Sequence, residues 1–89
     1  MEKKYFVDIV INKEKLSTGE DIHVAHCTSL GIASQGKGVD EAINNIKEAV
    51  KLYLEESPEK LKELSPAECP PTLSFLEIKS VGQEISVSN

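Results

Sequence analysis

Tryptophan is absent, and Tyr5, Phe6, Tyr53 and Phe75 are the whole aromatic complement. A core built from this chain must rest on Ile, Val and Leu. No run of Lys or Arg occurs, and ten basic residues face fifteen acidic ones for a net charge of −5. Nucleic-acid binding is largely the neutralisation of phosphate by cations, so an acidic chain without a basic stripe argues against direct contact with DNA or RNA. Acidity fits attraction to a basic partner instead. Cys27 and Cys69 stand far apart, and neither belongs to a Cys-x-x-Cys pair. The opening Met1-Glu2-Lys3-Lys4 runs directly into a strand pattern, so no signal peptide is expected. No apolar run approaches the ~20 residues of a membrane helix. A cytoplasmic protein with both thiols reduced is the expectation.

What remains is enough for one domain. The chain has 89 residues, 39% of them hydrophobic, which supports a modest core and excludes a disordered tail. A single domain is expected over 1–89, with its core at about 4–81 and a frayed end at 86–89. Tyr5 to Asn12 reads as a strand, with Tyr5, Val7, Ile9 and Ile11 on one face and Phe6 and Val10 on the other. Thr18-Gly19-Glu20 signals a turn, and Ile22 to Cys27 a second strand antiparallel to the first. Thr28 to Gly31 is a further turn, and Ile32 to Gln35 a third strand.

The strongest periodicity follows. Val39, Ala42, Ile43, Ile46, Ala49, Val50, Tyr53 and Leu54 recur at three- and four-residue spacing, which predicts a helix over 39–56. Gly38 takes the N-cap position, Glu41 supplies half of a capping box, and Ser57-Pro58 ends the helix. Pro58 to Leu64 is a candidate short second helix. Residues 65–72 read as a loop and Thr72 to Val81 as a fourth strand, with Ile85 and Val87 able to extend an edge. Strands followed by a segregated helix predict an α+β fold: a three-stranded antiparallel meander, one long helix, then a fourth edge strand.

One stretch is familiar. His26-Cys27-Thr28-Ser29-Leu30-Gly31-Ile32 is followed by Ser34-Gln35-Gly36, Asp40-Glu41-Ala42 and Asn45-Ile46-Lys47-Glu48-Ala49. Over about residues 5–56 this resembles the HicB-like antitoxin family, whose domain is similar to a partial ribonuclease H fold. Gly31, Gly36, Gly38, Glu41 and Ala42 carry the structural part of the pattern. Thr28 stands where the family usually has Pro, and Gly38 where it usually has Thr. Many members continue into a DNA-binding module; none is expected within these 89 residues. The resemblance implies an antitoxin of a type II toxin–antitoxin system, acting by direct binding to a small, basic, mRNA-cleaving HicA-like toxin.

A metal-dependent nuclease needs carboxylates converging on metals ~4 Å apart, and Asp8, Asp21, Glu41 and Glu77 are its candidates. Capping or solvated roles account for the same four. His23, His26 and Cys27 have metal-ligand chemistry, yet on a straight strand His23 and His26 point to opposite faces, and His23 and Cys27 lie ~13 Å apart. No Gly-x-Ser-x-Gly elbow or phosphate-binding glycine loop occurs, so neither enzymatic activity nor a cofactor is expected. A stand-alone regulatory or ligand-binding domain is the alternative to an antitoxin. Because one helix covers only one side of a sheet, Phe6 and Val10 are left over, and so is one side of the Leu73, Phe75, Leu76, Ile78 segment. Exposed apolar faces of this kind predict a homodimer.

Overall fold

The computed structural model describes residues 3–81 and 84–88, with side chains described over 3–80. Three strands, β1 (Ile9–Lys15), β2 (Asp21–Cys27) and β3 (Ile32–Gly36), precede one helix, α1 (Val39–Glu56). A 3-10 turn at Pro58–Glu63 follows, then two short strands, β4 (Glu77–Val81) and β5 (Glu84–Ser88). The fold is α+β in the expected order: an antiparallel meander β1-β2-β3, the helix, then a separate strand. No helix among the described residues is long and apolar enough to cross a membrane.

Turn chemistry sets the meander. At residues 16–20, the Leu16 amide donates to the Glu20 carbonyl at 2.8 Å, and the Gly19 amide to the Leu16 carbonyl at 2.9 Å. That closure pairs Lys15 with Asp21 and, at the far end, Ile9 with Cys27. Gly31 sits at φ +68, a left-handed conformation open to glycine at no steric cost. Its amide donates to the Cys27 carbonyl at 2.9 Å and turns the chain into β3, where Cys27 pairs with Ile32.

Alternation then sends one side of each strand toward the helix. Ala25 and Cys27 of β2 are buried with Ala42 and Ile46 of α1, and Val7, Ile9, Ile11, Leu30, Ile32 and Val50 pack around them. Burying each large apolar side chain contributes roughly 1.5–3 kcal/mol, well above any cap, so packing holds α1 in place. The helix lies over β3 and, to a lesser extent, β2. That offset corrects the expected buried face: Ala42 and Ile46 are covered, whereas Val39 and Ile43 remain 46% and 41% exposed. At the C-terminal end, the Ser57 amide donates to the Tyr53 carbonyl at 2.9 Å, and Pro58 opens the 3-10 turn.

The strand readings need four corrections. The first strand is not Tyr5 to Asn12: the ladder runs Ile9–Lys15, because the turn at 16–20 decides where pairing starts. Residues 72–76 carry no ladder, and β4 begins at Glu77. That strand does not join the edge of the meander; it pairs antiparallel with β5, Glu77 opposite Ser88 and Val81 opposite Glu84. Residues 86–88, read as frayed, belong to β5, and Asn89 lies outside the described residues.

The hairpin stands apart because of how the chain reaches it. Tyr5 and Pro66 form an antiparallel bridge, and the Ala67 amide donates to the Lys4 carbonyl at 2.9 Å. Residues 66 and 67 thus run past 5 and 4, away from the start of β1. The radius of gyration is 16.8 Å, against about 12 Å for a compact domain of this length.

Candidate partner-binding surface

The junction of β3 with α1 is the most constrained part of the resembling motif. Gly36 is buried, and a Cβ there would lie 2.5 Å from the Ala42 amide nitrogen and 2.8 Å from the Glu41 carbonyl carbon. Only glycine lets the first turn of α1 press this closely on the strand. Ala42 follows for the same reason, since its methyl is fully buried under the turn. Gly38 caps the helix in ordinary extended conformation, with no side chain to bond the free amides. Glu41 reaches back to the Lys37 amide at 3.3 Å, one residue before the cap position that a capping box would use. Asn45 supplies a link the sequence did not reveal: its side-chain amide donates to the Gln35 carbonyl at 2.7 Å, tying α1 to β3.

The four carboxylates of the nuclease reading are not brought together. Asp8 accepts hydrogen bonds from the Thr28 hydroxyl and, at 2.7 Å, from the Ser29 hydroxyl. Those bonds, Thr28 first and Ser29 next, hold its carboxyl below the usual 3.8. Asp8 therefore fastens the β2–β3 turn to the segment before β1, a role Pro at position 28 could not serve. Asp21 lies at the opposite end of the hairpin, 2.9 Å from Lys15 and 3.4 Å from Lys13. The Lys15 hydrogen bond is the main cause of its lowered pKa. Glu41 is in the first turn of α1, and Glu77 is in β4, 3.5 Å from Lys79.

The metal-ligand candidates are likewise dispersed. His23 pairs with Gly36 at one end of β2, and Cys27 pairs with Ile32 at the other. Cys27 is a packed core residue, 1% exposed. His23 Nδ1 is enclosed with no hydrogen-bond partner among the described residues. No group of three or more His, Cys, Asp or Glu gathers around a common point among the described residues.

Two surfaces are left. One is acidic: Glu55 and Glu56 close α1, whose last turn holds no basic residue, and Glu59 and Glu63 follow in the 3-10 turn, all four exposed. Lys60 is 3.3 Å from Glu63, and that contact raises the Lys60 pKa. The other is apolar: a groove of about 230 Å³ lined by Val7, Ile9, Ile43, Ile46, Lys47 and Val50. It exists because α1 is offset toward β3, so that the flank facing β1 is left uncovered. Beyond it, Leu73, Phe75, Leu76 and Ile78 are 67%, 88%, 56% and 59% exposed. In comparisons with known proteins, no family model, no curated protein and no solved structure matches this chain.

Proposed function

We propose that this chain is an antitoxin of the HicB kind, which neutralises a small, basic, mRNA-cleaving toxin by direct binding. It acts as a homodimer in the cytoplasm, with no catalytic step of its own and no direct contact with nucleic acid. The observation that carries this reading is the placement of Glu55 and Glu56 in the last turn of α1, with Glu59 following in the 3-10 turn. A helix ends with a partial negative charge, so carboxylates there oppose stability by about 0.3–1 kcal/mol each. Exposed carboxylates massed at that end, with no basic residue in the last turn, are poorly suited to stabilising the fold and well suited to attracting a cationic protein. The resemblance over residues 5–56 names the partner class. Val10 on the outer sheet face and the apolar 73–78 segment support self-association.

The apolar groove favours a second reading, a regulatory domain that binds a small apolar ligand. Its roughly 230 Å³ falls below the ~300–1,000 Å³ of usual small-molecule sites. Association kinetics with a small, basic HicA-like toxin tests the first reading. Reversing Glu55, Glu56 and Glu59 to Lys is expected to slow association by about tenfold or more and to flatten its dependence on salt. Association that ignores both the charge reversal and the salt would remove the support drawn from this surface.

A further inference from the structure

The open groove and the exposed 73–78 segment answer each other. The groove is apolar, lies between α1 and the start of β1, and is flanked by a strand whose outer edge has no partner strand among the described residues, the meander order being β1-β2-β3. The segment offers Leu73, Phe75, Leu76 and Ile78, all more than half exposed, just before and within β4. An unpaired edge beside an apolar groove accepts an added strand through main-chain hydrogen bonds and through side chains set into the groove. Lys47 on the groove lining and Glu77 beside Leu76 have opposite charges, with Glu77 also 3.5 Å from Lys79 of its own strand.

The 73–78 segment does not cover the groove of its own chain. The bridge between Tyr5 and Pro66 and the bond from the Ala67 amide to the Lys4 carbonyl send residues 66 and 67 outward, antiparallel to the approach to β1. Val7 and Ile9 lie in the other direction. The chain then bends at Glu68 and Cys69, and Pro70 and Pro71 follow, which favour extended backbone. The 73–78 segment stands exposed and is not among the residues that line the groove of its own chain, consistent with a radius of gyration well above that of a compact chain.

We infer that two copies exchange these arms, the 73–78 segment of each filling the Val7, Ile9, Ile43, Ile46 and Val50 groove of the other. The exchange deepens the homodimer part of the proposed function. It is isologous and closes with two-fold symmetry, so it makes a dimer and not a fibre. Each arm is short, but the contact occurs twice, which lets it approach the ~1,200–2,000 Å² total of a stable interface. Phe75 is the natural anchor, since buried aromatics dominate interface energetics.

Light scattering after size exclusion on the full chain gives the first readout. The unaltered protein is expected to be a dimer. Phe75→Asp, at a side chain 88% exposed, should keep its helical circular dichroism while raising the dimer Kd on the order of thirtyfold or more. Ile43→Lys should do the same from the groove side. Pairing Ser74→Cys with Lys47→Cys, in a Cys69→Ser background and with each single variant as control, shows which copy donates the arm. A disulfide joining two chains is expected. A disulfide within one chain would overturn the exchange. An unaltered protein that is monomeric would overturn the exchange and the homodimer together. A dimer indifferent to both Phe75→Asp and Ile43→Lys would overturn the exchange alone. None of these outcomes bears on binding of the basic toxin.

Discussion

Adding one methyl group at Gly36 should cost this domain more than most core truncations of similar size. An alanine Cβ at 36 would sit 2.5 Å from the Ala42 nitrogen and 2.8 Å from both the Glu41 carbonyl carbon and its Cβ. Two of those three atoms are backbone, so relief requires the first turn of α1 to move by roughly 1 Å in a close-packed interior. That movement strains the 2.7 Å bond from Asn45 to the Gln35 carbonyl and lifts buried Ala42 off the sheet. Overpacking of this kind costs about 1–3 kcal/mol. A domain this size has a margin on the order of 0.1 kcal/mol per residue. Each kcal/mol lowers Tm by about 4–8 °C in a chain of this length, so a fall of about 5–20 °C is expected. The sign is as informative as the size. Gly36 lacks positive φ, and where alanine fits without strain, Gly→Ala stabilises by about 0.4–1 kcal/mol through the unfolded chain. Gly38→Ser is the matched control: a Cβ there meets nothing within 4 Å, and a hydroxyl at the N-cap should gain a few tenths of a kcal/mol. Thermal melts followed by circular dichroism read both. An unchanged or raised Tm for Gly36→Ala would refute the close approach of α1 to β3.

Two further outcomes follow from the core and from the Asp8 contact. Ile46→Ala, at the largest fully buried side chain, should destabilise by about 2–3 kcal/mol in urea denaturation. This is the low end for such a truncation because the adjoining groove already opens beside the site. The Asp8 carboxyl is held below its ordinary value, so its contribution is present at neutral pH and is lost as pH falls through the folded value, below about 4. Asp8→Asn should therefore make Tm less steep between pH 5 and pH 2, as thermal melts across that range would show.

How far the sequence reached depended on whether the deciding interaction was local. The helix was legible to the residue, Val39–Glu56, because its periodic face, the Gly38 cap and Ser57-Pro58 lie within the segment itself. The alternation of Val7, Ile9 and Ile11 told which face points inward, but not where pairing begins, since that is set by the partner strand and the turn at 16–20. Leu73 to Leu76 looks like a strand by composition, yet its place in a sheet depends on the Tyr5–Pro66 bridge, a contact between residues 61 positions apart. The bond from Thr28 to Asp8 was hidden for the same reason, since the two residues lie 20 positions apart. The offset of α1 that opens the groove leaves no mark on the helical periodicity, which counts Ile43 as core.

Stoichiometric inhibition tests neutralisation most directly. A small, basic, mRNA-cleaving HicA-like toxin is purified, its cleavage of an mRNA substrate is followed, and this chain is titrated in. Cleavage should fall in proportion to added chain and reach background at a fixed ratio of chain to toxin, with the two proteins co-eluting in one complex. Undiminished cleavage at excess chain, with the two proteins eluting apart, would contradict the antitoxin reading and leave only the fold.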